Sequence, residues 1–370
     1  MKRILMVCTA TLCAAAGVVQ AHHSYAAYFE VDERIRVEGV VEEFFAQNPH
    51  AYIVFNAVND AGDLEQWRAE MPGWVGLRRG LWRADDLEPG DPITIVGAPA
   101  RSSDKTLIRA DDIVMPDGWT RHLFVDRAIG RSPAPTPPTG LSSESGGLST
   151  TPITFHAPAR TDGEWPGLDI AWRPNGGRST DPRDVRAPRL NFSDAPLTEE
   201  ARQAWADRVE TDDPGLRCIK PTLVVSMTSP NPLQFSKEGE HIQLKAERWD
   251  TVRTIHMDGR TPGPGTPHTI NGYSVGRFAG DSLVIETTHI TAGWELTGGA
   301  PPHSDALRVT ESYQVTENGQ RLELTITAVD PKTFTEPVTW NVYHRPASIQ
   351  AIHPYDCQPS PGGGYSWETN

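Results

Sequence analysis

Basic residues are scarce in this chain of 370 residues, which carries 34 Lys and Arg against 48 Asp and Glu. The formal net charge at pH 7 is −14. An acidic surface repels phosphate backbones and anionic lipids, so the composition argues against nucleic acid or an anionic membrane as a partner. Solubility in an exported protein is the simplest explanation for the charge.

Long hydrophobic runs are also lacking, with one exception at the N-terminus. Lys2 and Arg3 precede an apolar run over residues 4–19, which leads into the small-x-Ala sequence Val19-Gln20-Ala21. The run is too short and too rich in alanine to span a bilayer. It has the parts of a cleavable secretory signal. We therefore predict a signal peptide over residues 1–21, cut after Ala21, on a periplasmic or secreted protein without stable membrane insertion.

Cysteine is the third scarce feature, with four in the whole chain. Cys8 and Cys13 fall in the predicted signal peptide, and neither has the sequence context of a lipoprotein cleavage site. The mature chain keeps Cys218 and Cys357, which are expected to form one disulfide in an oxidising compartment. A redox pair or a copper–thiolate site is the alternative, although no Cys-x-x-Cys motif supports it.

What the sequence does contain is mostly β-strand pattern, in two domains. Residues 22–118 show five short β-rich runs, at 34–45, 51–58, 64–70, 92–97 and 107–115, with a helical piece near residues 74–81. Five strands with a helix between the third and the fourth are the outline of an OB-like barrel. Such barrels bind oligonucleotides, sugars, metals or proteins, so the fold does not define the function.

The second half begins after a region without regular signals. Residues 119–196 contain Pro-, Ser- and Gly-rich stretches typical of a linker, and a helix is predicted at about residues 197–210, packed on the second domain. Strands with short turns then follow, at 221–228, 240–247, 251–257, 272–279, 282–289, 306–316, 320–329 and 337–344. So many strands usually close on themselves. The predicted fold class is mainly β, with a lipocalin-like antiparallel β-barrel over residues 197–357 and a flexible tail over 358–370.

Strand alternation places two charged residues on apolar faces of this barrel. Arg253 shares a face with Ile255, and Glu311 shares a face with Val309. A buried charge needs a partner, so the two residues form either an internal ion pair or a polar anchor for a ligand. Together with Tyr273, from the same stretch of dense ionisable residues, they are the candidate ligand-binding residues.

A second candidate set lies in turns. His256, Asp258 and Arg260 in the sequence RTIHMDGR, and His303 in PHSD, suit acid–base chemistry with Arg260 stabilising an anion. Asp-Gly and Pro-His-Ser-Asp are also ordinary turn sequences, and strand order leaves the distances among these residues open. The hydrolase-like sequence Gly280-Asp281-Ser282-Leu283 is rejected, because its serine opens a strand rather than a helix.

The mature N-terminus carries a candidate metal site. Cleavage after Ala21 leaves His22 first and His23 second, and an N-terminal histidine offers its amine and its imidazole to Cu(II). His50, in the turn between the first two strands, would be a third ligand. Cleavage one residue earlier also leaves a Cu(II) chelate, whereas adventitious binding by a flexible His-His terminus is the alternative. Copper is the one cofactor that the sequence suggests.

Two stretches resemble uncharacterised families of exported bacterial proteins. Residues 22–118 resemble an OB-like domain of unknown function through HHSYAAYF, RVEGVVEEF, NPHAY, LEPGD and MPDGW. Residues 197–357 resemble a second family through LTEEARQAW, RTIHMDGR, GYSVGRFAGDSLVIET and PHSDALRVTESY. The second resemblance singles out Arg253, Asp258, Gly259, Arg260, Tyr273, Gly276, Asp281, His303, Ser304 and Glu311. The chain departs from that pattern at Phe278-Ala279 and at His289, and neither family implies a known reaction.

The leading functional prediction is a protein that binds a small molecule in the second barrel, with a Cu(II) site at the processed N-terminus. The alternative is an enzyme without a cofactor, a hydrolase, lyase or isomerase, built around the MDGR and PHSD motifs. A third hypothesis, an interaction scaffold of the cell envelope, predicts a filled barrel.

Overall fold

The computed structural model of the protein describes residues 28–101, 106–123, 168, 170–174, 195–207, 214–227, 229, 231–295, 300–347 and 352–359. The fold is mainly β, as predicted, and it contains two closed barrels. None of the helices within these ranges has the length and apolar character needed to cross a bilayer. The predicted signal peptide and most of the predicted linker lie outside the described residues.

The first barrel has the predicted OB-like arrangement. Its strands are β1 (Ile35–Phe45), β2 (Tyr52–Val58), β3 (Leu64–Glu70), β4 (Pro92–Pro99) and β5 (Leu107–Val114), and helix α1 (Trp74–Arg79) lies between β3 and β4. The pairing order is β3-β2-β1-β4-β5, and a parallel pairing of β3 with β5 closes the barrel. A short strand β6 (Thr120–His122) extends the sheet beyond β5, just past the predicted end of the domain.

The interior of the first barrel follows from alternation along its strands. Ile53, Phe55 and Ala57 of β2 are buried and belong to one apolar cluster with the inward residues of the other strands. A glycine is required where β4 and β5 approach most closely, since a Cβ at Gly97 would lie 1.8 Å from the carbonyl oxygen of Arg109. The β-rich runs therefore predicted the strands of the first barrel.

The second barrel has nine strands. The strands of this half are β7 (Ala171–Pro174), β8 (Leu233–Glu238), β9 (His241–Ala246), β10 (Thr251–His256), β11 (Tyr273–Ala279), β12 (Ser282–Thr288), β13 (Gly293–Glu295), β14 (Ala300–His303), β15 (Arg308–Thr316), β16 (Arg321–Val329) and β17 (Val338–Pro346). The order around the barrel is β10-β11-β12-β15-β16-β17-β7-β8-β9, while β13 and β14 form a separate pair. The predicted second barrel is thus confirmed.

Three features of this barrel go beyond the predicted antiparallel series, and the first is strand β8, which none of the predicted strands covers. Strand β7 comes from the predicted linker, and it pairs with β17 on one side and β8 on the other. Strands β10 and β11 pair in parallel, with Ile255 opposite Ser274, so residues 257–272 cross from one end of the barrel to the other. Strand β7 was not predicted because four residues in a Pro- and Gly-rich region are too few to show strand alternation.

The helices of this half differ in part from expectation. Helix α2 (Glu199–Ala206) begins after Thr198, whose Oγ1 accepts a hydrogen bond of 3.2 Å from the amide of Ala201. It packs on the second barrel, as predicted, through Ala201 and Trp205. The strand predicted at 221–228 is wrong, because residues 223–227 form the one-turn helix α3 (Leu223–Met227). Its first and last residues share one helical face and are buried in the core. The β-branched Val-Val pair between them favoured the prediction of a strand.

The segment of residues 352–359 joins the two barrels. The predicted disulfide is present, linking Cys357 of this segment to Cys218. Asn48 of the first barrel donates to the carbonyl oxygen of Tyr355, and its own carbonyl oxygen accepts a 2.8 Å bond from the amide of Gln358. The first residue of the predicted tail, Gln358, is therefore held against the first barrel.

A buried carboxylate completes this interface. Glu247, which follows β9, has 0% exposure and receives the guanidinium of Arg79 from α1 of the first barrel. It also accepts hydrogen bonds from Asn231 Nδ2 at 3.1 Å and from the amide of His353 at 3.2 Å. The two barrels are thus connected through one ion pair and one disulfide-held segment.

Removing the disulfide with Cys218→Ala and Cys357→Ala is expected to lower the free energy of unfolding by about 3–5 kcal/mol. The physical reason is the length of the loop that it closes, since the cysteines are 139 positions apart in the sequence. Urea denaturation monitored by tryptophan fluorescence measures the change. Reduced wild-type protein should unfold at the same urea concentration as the double variant. Equal midpoints for the variant and oxidised wild type would contradict the prediction.

Candidate functional site

Polar side chains point into the second barrel from four neighbouring strands. They are Arg253 on β10, Ser274 on β11, Thr287 on β12, and Glu311 and Tyr313 on β15, together called the interior polar cluster. Each occupies an alternate position whose same-face neighbours are buried. Arg253 is 2% exposed and Glu311 is 0% exposed, so the predicted inward orientation of both is confirmed.

Arg253 forms an ion pair at the centre of this cluster. Its Nη2 donates to Glu311 Oε2 at 2.5 Å and to Thr287 Oγ1 at 2.8 Å. Its Nε donates to Ser274 Oγ at 2.8 Å, and the two hydroxyl groups lie 3.0 Å apart. Two hydroxyls and one carboxylate therefore surround one guanidinium, and the two formal charges cancel inside the barrel.

Tyr313 satisfies the second oxygen of the carboxylate. Its hydroxyl donates to Glu311 Oε1 at 2.7 Å and lies 3.6 Å from the sulfur of Met227 on α3. Burial, and then the negative charge of Glu311, raise the pKa of the Tyr313 hydroxyl well above its usual value. The phenol thus stays protonated and serves as a donor, with its ring edge-on to Phe235 at a centroid distance of 5.0 Å.

Several buried nitrogen atoms inside this barrel have no hydrogen-bond partner among the described residues. They are Nη1 of Arg253, both ring nitrogens of His344, and Nε1 of Trp172. His344 and Trp172 are both 0% exposed. They lie on adjacent strands as diagonal neighbours on one face, because His344 pairs with Pro174 and Trp172 pairs with Pro346.

Burial lowers the pKa of the His344 imidazole to about 3. The ring is therefore neutral at physiological pH and presents one donor and one acceptor. A buried polar group without a partner costs about 1–3 kcal/mol. Three side chains of this barrel have buried nitrogen atoms without a partner among the described residues. The interior of the barrel is therefore the strongest candidate site for a bound polar molecule.

Tyr273 and His256, by contrast, lie on the outside of the barrel. Their rings stack at a centroid distance of 4.5 Å, and His241 packs edge-on against His256 at 4.8 Å. Burial and the neighbouring His241 lower the pKa of His256. Tyr273 is thus not brought together with Arg253 and Glu311, although all three were candidate ligand-binding residues.

Asp258 and Arg260 form a local turn. Asp258 Oδ1 accepts a 3.1 Å hydrogen bond from the amide of Arg260, and its Oδ2 lies 2.6 Å from the Nε of the same residue. The hydrogen bond from that amide lowers the pKa of the Asp258 carboxyl group. This geometry is the turn chemistry that the Asp-Gly sequence also indicated.

His303 is at the other end of the barrel. Strands β10 and β15 run in the same direction through the pairings of β11 and β12. His256 ends β10, whereas His303 precedes β15. The four candidate catalytic residues therefore do not converge on one cleft. Instead His303 Nε2 lies 2.9 Å from the hydroxyl of Thr222.

Asp330 organises the loop that follows His303. Its carboxylate accepts hydrogen bonds from the amide of Ser304 at 2.6 Å and from the Ser304 hydroxyl at 2.8 Å. It also accepts from Thr333 Oγ1 at 2.9 Å and from the amide of Lys332 at 3.0 Å. These hydrogen bonds lower the pKa of the carboxyl group against the opposing effect of burial. The PHSD turn is thus rigidly attached to the end of β16.

In the first barrel, His50 is paired with a carboxylate. Its Nδ1 contacts Glu70 Oε1, and both residues are buried. His22 and His23 lie outside the described residues, so their position relative to His50 stays a prediction. Within the described ranges, no group of three or more His, Cys, Asp or Glu has a geometry suited to a metal ion.

Several site residues were not singled out from the sequence. Tyr313 and His344 occupy inward positions of predicted strands, so the alternation that identified Glu311 could have identified them too. Ser274 and Thr287 are small polar residues that strands commonly contain, and they carried no signal. Thr222 and Trp172 lie in segments whose structure was wrongly predicted or not recognised.

Comparison with known sequences addresses the first barrel. Residues 10–109 match a family of unknown function (DUF6152), in agreement with the resemblance of the N-terminal domain to an uncharacterised family. No curated protein matches the chain. The resemblance of residues 197–357 to a second family stays a prediction.

Proposed function

We propose that the second barrel binds a small, neutral molecule that both accepts and donates hydrogen bonds. The observation that carries the proposal is the set of buried nitrogen atoms of Arg253, Trp172 and His344 without partners among the described residues. Leaving them unsatisfied opposes folding. A bound molecule that supplies the missing hydrogen bonds removes this cost.

The chemistry of these atoms defines the class of ligand. Arg253 is already neutralised by Glu311, and the low pKa of His344 keeps its ring uncharged. A charged ligand would add an uncompensated charge to the interior. Arg253 Nη1 and Trp172 Nε1 only donate, whereas the neutral imidazole donates once and accepts once. The ligand therefore offers carbonyl or hydroxyl oxygens as acceptors and at least one N–H or O–H donor.

The test is to identify compounds that co-purify with the protein. Protein isolated under mild conditions is denatured, and the released small molecules are compared by mass spectrometry between wild type and His344→Phe. A neutral compound is expected from wild type, and its amount should fall about tenfold or more in the variant, in line with the loss of one or two hydrogen bonds. Asn341→Ser, at an exposed outward position of the same strand, is the matched control.

A different result would favour the scaffold hypothesis. If wild-type protein releases no compound, and a crystal structure shows only ordered water on Arg253 Nη1 and His344, the barrel is a structural element. Equal amounts of one compound from wild type, His344→Phe and Asn341→Ser would place its binding elsewhere on the molecule.

The proposed setting is the periplasm or the exterior of the cell. Support comes from the signal-like sequence of residues 1–21 and from the Cys218–Cys357 disulfide, since disulfides persist in oxidising compartments. N-terminal sequencing of protein from the periplasmic fraction tests this, with His22 expected as the first residue. Intact protein that begins at Met1 in the cytoplasm would contradict it.

The His50–Glu70 pair supports a second candidate function, Cu(II) binding at the processed N-terminus. Metal-bound histidines commonly place their other ring nitrogen against a carboxylate, which fixes the ring and its tautomer. His50 has this second contact, through Nδ1. The proposed site combines its Nε2 with the terminal amine and imidazole of His22, and His23 takes over the chelate if cleavage falls one residue earlier.

Copper titration of correctly processed protein tests this candidate. Wild type is expected to bind one Cu(II), with binding weakened about 10- to 100-fold in Glu70→Gln, which leaves His50 itself in place. His122→Ala removes an exposed histidine of the same barrel and serves as the control. Equal and weak Cu(II) binding by all three proteins would mean that the N-terminal histidines bind the metal only adventitiously.

A further inference from the structure

A hydroxyl just before α3 and an imidazole in the PHSD turn lie in contact. Thr222 immediately precedes α3, and its Oγ1 lies 2.9 Å from Nε2 of His303 at the end of β14. The two residues are 81 positions apart in the sequence. The contact belongs to neither the interior polar cluster nor the disulfide interface.

The direction of the Thr222–His303 hydrogen bond follows from the other ring nitrogen. His303 Nδ1 faces the carbonyl oxygen of Ser304 at 3.3 Å. A carbonyl oxygen can only accept, so Nδ1 carries the proton and Nε2 of the neutral ring is an acceptor. Burial lowers the pKa of His303, which keeps the ring in this neutral form. The Thr222 hydroxyl therefore donates to Nε2, as a nucleophile donates to its general base.

The ring is fixed by its surroundings. Ser304, whose carbonyl oxygen orients Nδ1, is itself held by two hydrogen bonds to the buried carboxylate of Asp330. Hydroxyl, imidazole and orienting acceptor thus follow one another in the order that serine and threonine hydrolases use.

A glycine packs directly against the pair. A Cβ at Gly293 would lie 3.2 Å from His303 Nε2 and 2.9 Å from Thr222 Cγ2. Any side chain at this position would press on both reacting groups. The absence of a side chain at position 293 is therefore a condition for the Thr222–His303 contact.

We infer that Thr222 and His303 form a nucleophile–base pair that accepts acyl groups from esters or lactones. The Thr222 oxygen attacks the carbonyl carbon while its proton passes to His303 Nε2, and a new Oγ–C bond forms. The bond between the carbonyl carbon and the leaving oxygen breaks, and that oxygen takes the proton from Nε2. Water then gives a proton to the same nitrogen and attacks the acyl carbon, the Oγ–C bond breaks, and Nε2 returns the proton to Thr222 Oγ1 as the carboxylic acid leaves.

Covalent labelling with a β-lactone tests the pair on the intact, disulfide-bonded protein. Opening of the lactone ring attaches the acyl chain to Oγ1, and peptide mass spectrometry locates it. Wild type is expected to be labelled at Thr222, and His303→Gln should react about a hundredfold more slowly, the usual contribution of a general base. His268→Gln removes an exposed histidine and should react at the wild-type rate.

Two further variants separate reactivity from folding. Thr222→Ser keeps the hydroxyl and should be labelled at residue 222, whereas Thr222→Val keeps the shape and should not be labelled there. Thermal unfolding shows whether each variant is folded. An unlabelled Thr222 in folded wild type, or equal labelling rates in wild type and His303→Gln, overturns the inference. Neither result bears on the ligand proposed for the interior of the barrel, because that compound is detected without any covalent reaction.

Discussion

Replacing Glu311 with alanine is expected to lower the free energy of unfolding by about 4 kcal/mol. The cost arises from what the change leaves behind. Arg253 is 2% exposed and, among the described residues, would keep two neutral hydroxyl partners, so its positive charge would stay buried without compensation. Tyr313 also loses the acceptor of its hydroxyl. Urea denaturation of the two proteins at neutral pH measures the difference.

Two controls separate the buried charge from the loss of packing. Glu286→Ala removes an exposed carboxylate from the outer face of β12 and should change stability by less than about 0.5 kcal/mol. The double variant Arg253→Met with Glu311→Leu removes both charges and should stay within about 1 kcal/mol of wild type or exceed it. A double variant that is as unstable as Glu311→Ala would show that the ion pair is not the cause.

Acidification should destabilise the protein through His344, by about 5 kcal/mol between pH 6.5 and pH 3. Burial lowers the pKa of this imidazole to about 3 in the folded state, whereas an unfolded chain has the ordinary value of about 6.5. Between these values only the unfolded state binds the proton. The contribution of His344 is therefore complete above pH 6.5 and is lost as the pH falls, at about 1.4 kcal/mol per pH unit.

The pH effect is isolated by comparison with His344→Phe, in protein stripped of bound compounds. The difference in unfolding free energy between the two proteins should shift by about 2 kcal/mol in favour of the variant between pH 6.5 and pH 5. His268→Gln, which lacks an exposed histidine instead, should follow the wild-type curve. Parallel curves for wild type and His344→Phe would mean that folding leaves the pKa of His344 at its ordinary value.

Strand alternation predicted more of the second barrel than any single motif did. A period of two along β10 and β15 was enough to place Arg253 and Glu311 inside, since each has buried apolar neighbours two residues away. The same rule needs no knowledge of which strands are adjacent. It could therefore predict that both charges are internal, but it could not decide between an internal ion pair and an anchor for a ligand.

The remaining parts of the site depend on contacts between distant segments. The Thr222–His303 contact depends on α3, which was predicted as a strand because its sequence contains β-branched residues. Trp172 becomes an interior residue because β7 closes the barrel. Whether the candidate catalytic residues converge could not be predicted for the same reason, since turn chemistry indicates a local shape but not which end of a barrel the turn occupies.

The segment of residues 352–359 has a consequence for the order in which the protein is made. Asn48 is separated by 307 residues from Tyr355, whose carbonyl oxygen it binds. All described strands of both barrels leave the ribosome before this segment does. The contacts of the first barrel with the segment can therefore form only after the second barrel has been synthesised. A chain interrupted before residue 352 would contain every one of those strands, yet it would lack Cys357 and the amide that His353 gives to Glu247. The joined pair of barrels is thus a property of the completed chain, and an interrupted chain would expose the surfaces that the segment covers.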